Sequence, residues 1–168
     1  MTNENQAKVV GRNLQISTKQ TIEIANHIRG KNLMKAKDIL TKVIAQKQAV
    51  PYRRFNMDTG HRKGKIGAGR YPIKASKEIL MLLESLEANA QNKGLDMDSL
   101  YIKIIIPNVG PTSWRYGRHR RRQAKRTHLE IIAEEKEEDK KKRRAEKKEK
   151  PKEEAKETKT EEKKEEEK

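Results

Sequence analysis

Residues 107–128 read PNVGPTSWRYGRHRRRQAKRTH, and what lies on either side of them decides how the chain folds. Leu100 to Ile106 before it and Leu129 to Ala133 after it both alternate as strands do. The connection holds seven Lys or Arg (Arg115, Arg118, Arg120, Arg121, Arg122, Lys125, Arg126), the chain's one Trp, and no Asp or Glu. None of it can build a core. Structureless connections longer than about 12 to 15 residues are uncommon in compact domains, so the two strands are expected to continue outward as an antiparallel pair. With ~10 residues per limb at about 3.3 Å each, such an arm projects on the order of 30 Å. Like charges at that spacing, with no acid among them, become ordered against an external polyanion. The plain alternative is a floppy basic loop.

Working outward, Leu100, Ile102, Ile104 and Ile106 are expected on one buried face, and Leu129, Ile131 and Ala133 on the matching face of the returning strand. Val9 to Ile16 carries a weak alternation, with Leu14 and Ile16 on one side, and reads as a third short strand. Ser17 followed by Gln20 fits a capping box that starts a helix through Ile24, Ala25 and Ile28 to a stop at Gly30. Asn32 caps a second helix with Leu33, Ala36, Ile39, Leu40, Val43 and Ile44 on one face, bounded by Pro51. Pro72 opens the clearest helix, in which Ile79, Leu82, Leu83, Leu86 and Ala90 keep helical spacing until Gly94. The expected fold is α+β, with three helices on a small, mainly antiparallel three-stranded sheet, a long protruding β-hairpin and a disordered C-terminal tail. The domain spans residues 9–133, with a flexible N-terminus at 1–8, a basic Gly-rich segment at 51–77, the hairpin at 100–133 and the tail at 134–168.

Charge is distributed unevenly. Of 168 residues, those up to Ala133 hold 26 Lys or Arg against 10 Asp or Glu, which equals the whole net charge of +16, while the remainder is balanced. With a pI near 10.0, that excess on the folding part points to nucleic acid before an acidic protein or a membrane surface. The balanced tail contains no large apolar residue and reads as a solvated polyampholyte, its KKKRR run flanked by acids. The absence of Cys rules out disulfides and thiolate metal sites and fits a reducing compartment. The start, MTNENQAKVV, has no basic lead into an apolar stretch, and no apolar run approaches the roughly 20 residues needed to span a bilayer. A soluble, intracellular protein is expected.

The Gly-rich segment carries eight Lys or Arg (Arg53, Arg54, Arg62, Lys63, Lys65, Arg70, Lys74, Lys77) against Asp58 alone, with four Gly between positions 60 and 69 that permit close backbone approach or positive φ. Five of the six aromatics, Tyr52, Phe55, Tyr71, Trp114 and Tyr116, fall in the two basic segments. Such interleaving suits a surface that stacks on bases while guanidinium groups bind phosphate; for Tyr52 and Phe55 the competing expectation is a place in the core. The arm's preference for Arg over Lys favours bidentate docking into folded RNA. Enzyme signatures are missing: His27, His61, His119 and His128 lack metal-ligand spacing, no phosphate-loop sequence follows a strand, and no nucleophile has an evident base. Neither a cofactor, a metal nor a small-molecule substrate is expected. A free-standing basic nucleic-acid-binding protein is the alternative reading, distinguished by equal binding to generic duplex DNA.

The runs QKQAVPYRRFNMDTGHRKG, GRYPIKASK, NAQNKGLDMDSLYI and RTHLEIIAEE resemble the archaeal and eukaryotic branch of large-subunit ribosomal protein twenty-two, over roughly residues 9 to 135. The resemblance implies a non-enzymatic, cytoplasmic component of the large ribosomal subunit. It would bind 23S-type ribosomal RNA, abut neighbouring ribosomal proteins, support assembly, and line the nascent-peptide exit tunnel with its hairpin. The resemblance implies RNA-facing roles for Arg53, Arg54, His61, Arg62, Arg70 and Lys74, and Arg12, Lys19, Tyr52, Lys63 and Lys65 are expected to bind RNA beside them. From the arm the expected RNA-binding residues are Trp114, Arg115, Tyr116, Arg118, His119, Arg120, Arg121, Arg122, Lys125 and Arg126. The tip expected to face the nascent chain is Tyr116, Gly117, Arg118, His119 and Arg120. Many relatives have a tip resembling P-R-A-x-G-R, whereas this chain reads WRYGRHRRRQAKR and is somewhat short there.

Overall fold

The computed structural model describes residues 5–135. Three strands form the main sheet: β1 (Gln6–Leu14), β4 (Leu100–Val109) and β7 (Thr127–Glu135), in the order β1-β7-β4. The helices are α1 (Thr18–Ile28), α2 (Leu33–Ile44) and α3 (Ile73–Asn92). Two-residue pairs complete the element list: β2 (Val50–Pro51) with β3 (Gly69–Arg70), and β5 (Ser113–Trp114) with β6 (Gln123–Ala124). The expected α+β class therefore holds. The first strand starts at Gln6, so residues 6–8 belong to the sheet and not to a flexible N-terminus, and the last runs to Glu135, two residues beyond the expected end. Most of the expected tail lies outside the described residues.

The central strand β7 alternates as the sequence predicts, burying Thr127, Leu129, Ile131 and Ala133. Its partner β1 runs antiparallel, from Gln6 opposite Glu134 to Leu14 opposite Thr127, with a bulge between Gly11 and Leu14 that places Asn13 at φ 55°. In β4 the expected face is corrected. Leu100, Ile102 and Ile105 are buried, Ile104 is half-buried, and Ile106 is 43% exposed. Burial steps by three residues between Ile102 and Ile105, so the pleat changes phase where the strand begins to leave the body.

The helices bury the residues their periodicity marks. Ile79, Leu83 and Leu86 of α3 are fully covered, Leu82 packs at the core's edge, and each buried aliphatic contributes roughly 1.5 to 3 kcal/mol before entropy. Asn32 caps α2 as expected, its Oδ1 accepting from Met34 N–H at 2.9 Å. The capping box at α1 is not formed: Ser17 occupies the N-cap with extended backbone, but its side chain makes no cap bond. Gly30 and Gly94 follow helix ends at φ 73° and 68°, where a side chain would be strained.

Both outer edges of the sheet are covered, which blocks edge-to-edge pairing with another chain. Against β4, the α1–α2 link exchanges bonds between Gly30 N–H and Ile102 O and between Ile102 N–H and Lys31 O. Along β1, Asn89 and Lys93 of α3 donate to the carbonyls of Lys8 and Gln6.

Candidate nucleic-acid interface

The Gly-rich segment is a closed loop. The β2–β3 pair sets Val50 opposite Arg70 and Pro51 opposite Gly69, and Tyr52 N–H bonds Ala68 O at 2.9 Å just inside it. Further bonds join Arg62 to Gly67 and Gly69 to Gly60, so the loop is ordered by its own backbone. Of its four glycines only Gly64 has positive φ; Gly69 is the one closely approached, with Arg62 Cγ and Val50 O within 3.3 Å of where a Cβ would stand. The segment also ends earlier than expected, since Lys74 and Lys77 lie in the first turns of α3.

What holds the loop against the body is Glu23, a residue the sequence reading passed over. Its side chain on α1 is 1% exposed, and its carboxylate accepts N–H bonds from Arg53 (3.1 Å), Arg54 (2.9 Å) and Phe55 (2.7 Å). A buried carboxylate is costly unless its lone pairs are filled, and three successive backbone donors fill these. The turn that carries Arg53 and Arg54 is thereby held against α1, and both residues are exposed.

Of the two expectations for Tyr52 and Phe55, the structure bears out the place in the core. Tyr52 is 5% exposed and belongs to the core, and Phe55 is partly buried against it. Tyr52 is thereby corrected from an RNA contact to a structural residue; burial raises the pKa of its phenol, against a smaller opposing effect of Arg70. The rings instead carry cations. Arg54 and Lys19 lie over Phe55 at 5.4 and 5.5 Å, Arg62 over Tyr71 at 5.4 Å, and Arg70 over Tyr52 at 5.9 Å. A guanidinium resting on a ring gains cation–π energy and loses less side-chain entropy when it binds a ligand. Arg62 and Arg70 are steadied further by bonds to Gly69 O and Asp58 O. Lys63, Lys65, His61 and Arg12 are exposed.

The arm follows the expected plan with a broken ladder. Gly110 N–H bonds Arg126 O, Ser113 pairs with Ala124, Trp114 with Gln123, and Arg115 N–H bonds Arg122 O. At the tip Gly117–His119 make a single 3-10 turn, opened by Gly117 at φ 68°. Residues 111–123 are all exposed, with Trp114 at 63% and Tyr116 at 94%. These two are the rings open to stack on a base. The root is tied firmly: Thr127 hydroxyl donates to Ile16 O and meets Thr18 hydroxyl at 2.8 Å, and Asn13 N–H donates to His128 Nδ1.

Among the described residues the ion pairs are Lys8–Glu130, Lys37–Glu87 and Lys103–Glu134, and none of them involves a cation of the loop or of the arm. His27 is half-buried beside Lys31 and Arg53, and burial first, then these charges, lowers its pKa to about 4. No cluster of metal-ligating side chains occurs among the described residues, and no described helix is long and apolar enough to cross a membrane.

Residues 9–134 match the family described as Ribosomal protein L22p/L17e. The chain belongs to this family. It is 43% identical over 136 residues to the large ribosomal subunit protein uL22 of Methanococcus aeolicus, covering 77% of this chain and 89% of that one. The uL22 of Methanocaldococcus jannaschii is 43% identical over 139 residues, with 79% and 89% covered, and that of Nanoarchaeum equitans 45% over 144, with 80% and 82% covered. Membership makes the chain a structural, non-enzymatic constituent of a large ribosomal subunit of archaeal type, which resides in the cytoplasm.

Proposed function

We propose that the chain binds large-subunit ribosomal RNA through two surfaces, the pinned Gly-rich loop and the arm, and that the arm inserts between RNA helices to line the nascent-peptide tunnel. The observation that carries this is the arm itself: a run of exposed residues, 111–123, rich in Arg and with no carboxylate partner among the described residues, extends from a root tied by several hydrogen bonds. The loop presents Arg53, Arg54, Arg62, Arg70, Lys63 and Lys65 to phosphates, and the arm adds Arg115, Arg118, Arg120, Arg121, Arg122, Lys125 and Arg126. Trp114 and Tyr116 stack on unpaired bases. Tyr116 to Arg120, at the tip, meet the nascent chain, while neighbouring ribosomal proteins abut the body.

If roughly six to ten phosphates are engaged, affinity for large-subunit RNA falls by about three orders of magnitude or more over a four-fold rise in salt. A titration showing a flat salt response removes this mechanism, and equal affinity for generic duplex DNA removes the docking into folded RNA.

A further inference from the structure

We infer that the root of the arm seats one RNA phosphate, and that this phosphate is shared between the arm and the body. The inference deepens the RNA-binding reading and rests on it. A cavity of about 330 Å³ lies where the arm meets the body. It opens to solvent on one side and admits a phosphate group. Four cations line it, Lys74 from α3 and Arg115, Lys125 and Arg126 from the arm, and no acid does. None of the four pairs with a carboxylate among the described residues.

Backbone adds to the side chains. Ser17 and Gln20 at the start of α1, and Lys74 and Ala75 at the start of α3, border the same space. The first turn of a helix leaves N–H groups without intrahelical partners, and neither helix has a side-chain cap or an acid in its first turn. Two positive helix ends therefore add to four cationic side chains. Such a concentration of positive charge around an open space repels itself until an anion enters. Because Lys74 belongs to the body and Arg115 and Lys125 to the arm, one anion between them neutralises both sides and fixes the arm's angle. Arg126 already leans on the body through Asn13 O at 3.5 Å. The chemistry is that of a tetrahedral oxyanion, available from an RNA backbone or from free phosphate. The backbone is favoured because exposed arginines continue from Arg115 along the arm, and a strand tracking them delivers a phosphate here.

A double-mutant cycle on the full chain tests the sharing, with large-subunit RNA as ligand and Lys74→Gln and Lys125→Gln as the substitutions. Each single variant is expected to lower the magnitude of the salt slope by about one, and the double variant by about one as well. A loss of about two in the double variant, with affinity losses that multiply, overturns the shared phosphate. In a second arm without RNA, inorganic phosphate is titrated at constant ionic strength while backbone amide NMR is followed. Saturable shifts at Gln20, Lys74 and Ala75 that vanish in Lys74→Gln are expected. Shifts that chloride reproduces, or that persist in the variant, overturn the site. Failure of the wild-type chain to bind the RNA defeats the broader reading, and the phosphate titration still decides the cavity by itself.

Discussion

At the scale of single residues, two polar groups in α1 carry testable consequences, and Glu23 is the one that holds the first basic loop. Replacing Glu23 by Gln leaves an acceptor for Arg54 and Phe55 but turns an amide donor toward Arg53 N–H. A buried donor left unpaired costs about 1 to 3 kcal/mol. Glu23→Gln is therefore expected to lower the unfolding midpoint, speed hydrogen exchange at Arg53 to Phe55, and weaken RNA binding; unchanged exchange there refutes a positioning role. The second group is His27, whose folded pKa of about 4 lies below its ordinary 6.5. As pH falls through 6.5 the unfolded chain takes up the proton first, so stability is present above 6.5 and is lost progressively toward pH 4. Denaturant titrations from pH 7 to 4 should show that loss in the wild type and a shallower one in His27→Gln. Neither role was legible in the sequence. Glu23 and His27 look like ordinary helical surface residues, because the partners of Glu23 come from a loop some thirty positions away and His27 is covered only by the tertiary packing. The one available signal was an isolated acid beside buried Ile24, opposite a segment crowded with cations.

At the scale of elements, the arm departs through a narrow gate. A Cβ on Gly110 would stand 3.0 Å from Arg126 Cβ and 3.2 Å from its carbonyl carbon. Those atoms belong to the opposing limb and cannot swing away as a side-chain end can. Gly110→Val is expected to open the Gly110–Arg126 bond, raise amide exchange over residues 112–126, and reduce RNA affinity with only a small shift in the body's melting temperature. An unaltered exchange pattern contradicts this. The strands and helices themselves were readable, because periods of 2 and 3.6 are written locally. Local pattern misleads where a second element intervenes: β4 shifts phase near Ile105, and at the start of α1 Thr21 Oγ1 donates to Ser17 O while the Ser17 side chain makes no cap bond.

For the whole molecule, the core and the proposed RNA-binding surfaces lie in different places. The core lies between the helices and the β1-β7-β4 sheet, whereas Arg120, Arg121 and Arg122 touch none of it. Replacing all three by Ala is expected to change unfolding free energy by no more than about 0.5 kcal/mol, as for other surface sites. The same variant should lose much of its affinity for large-subunit RNA and incorporate poorly into subunits, read by sedimentation. A collapse of stability places these side chains in the core.

The sequence by itself determined the α+β class, the three helices, the position of the arm and its charge, since these follow from residue type and spacing along the chain. Only the tertiary structure decided which rings remain open, that Glu23 holds the first loop, and that Lys74 stands beside the arm's root. The physical reason is that burial and charge neighbourhood depend on contacts between segments distant in the chain, and no local period records them.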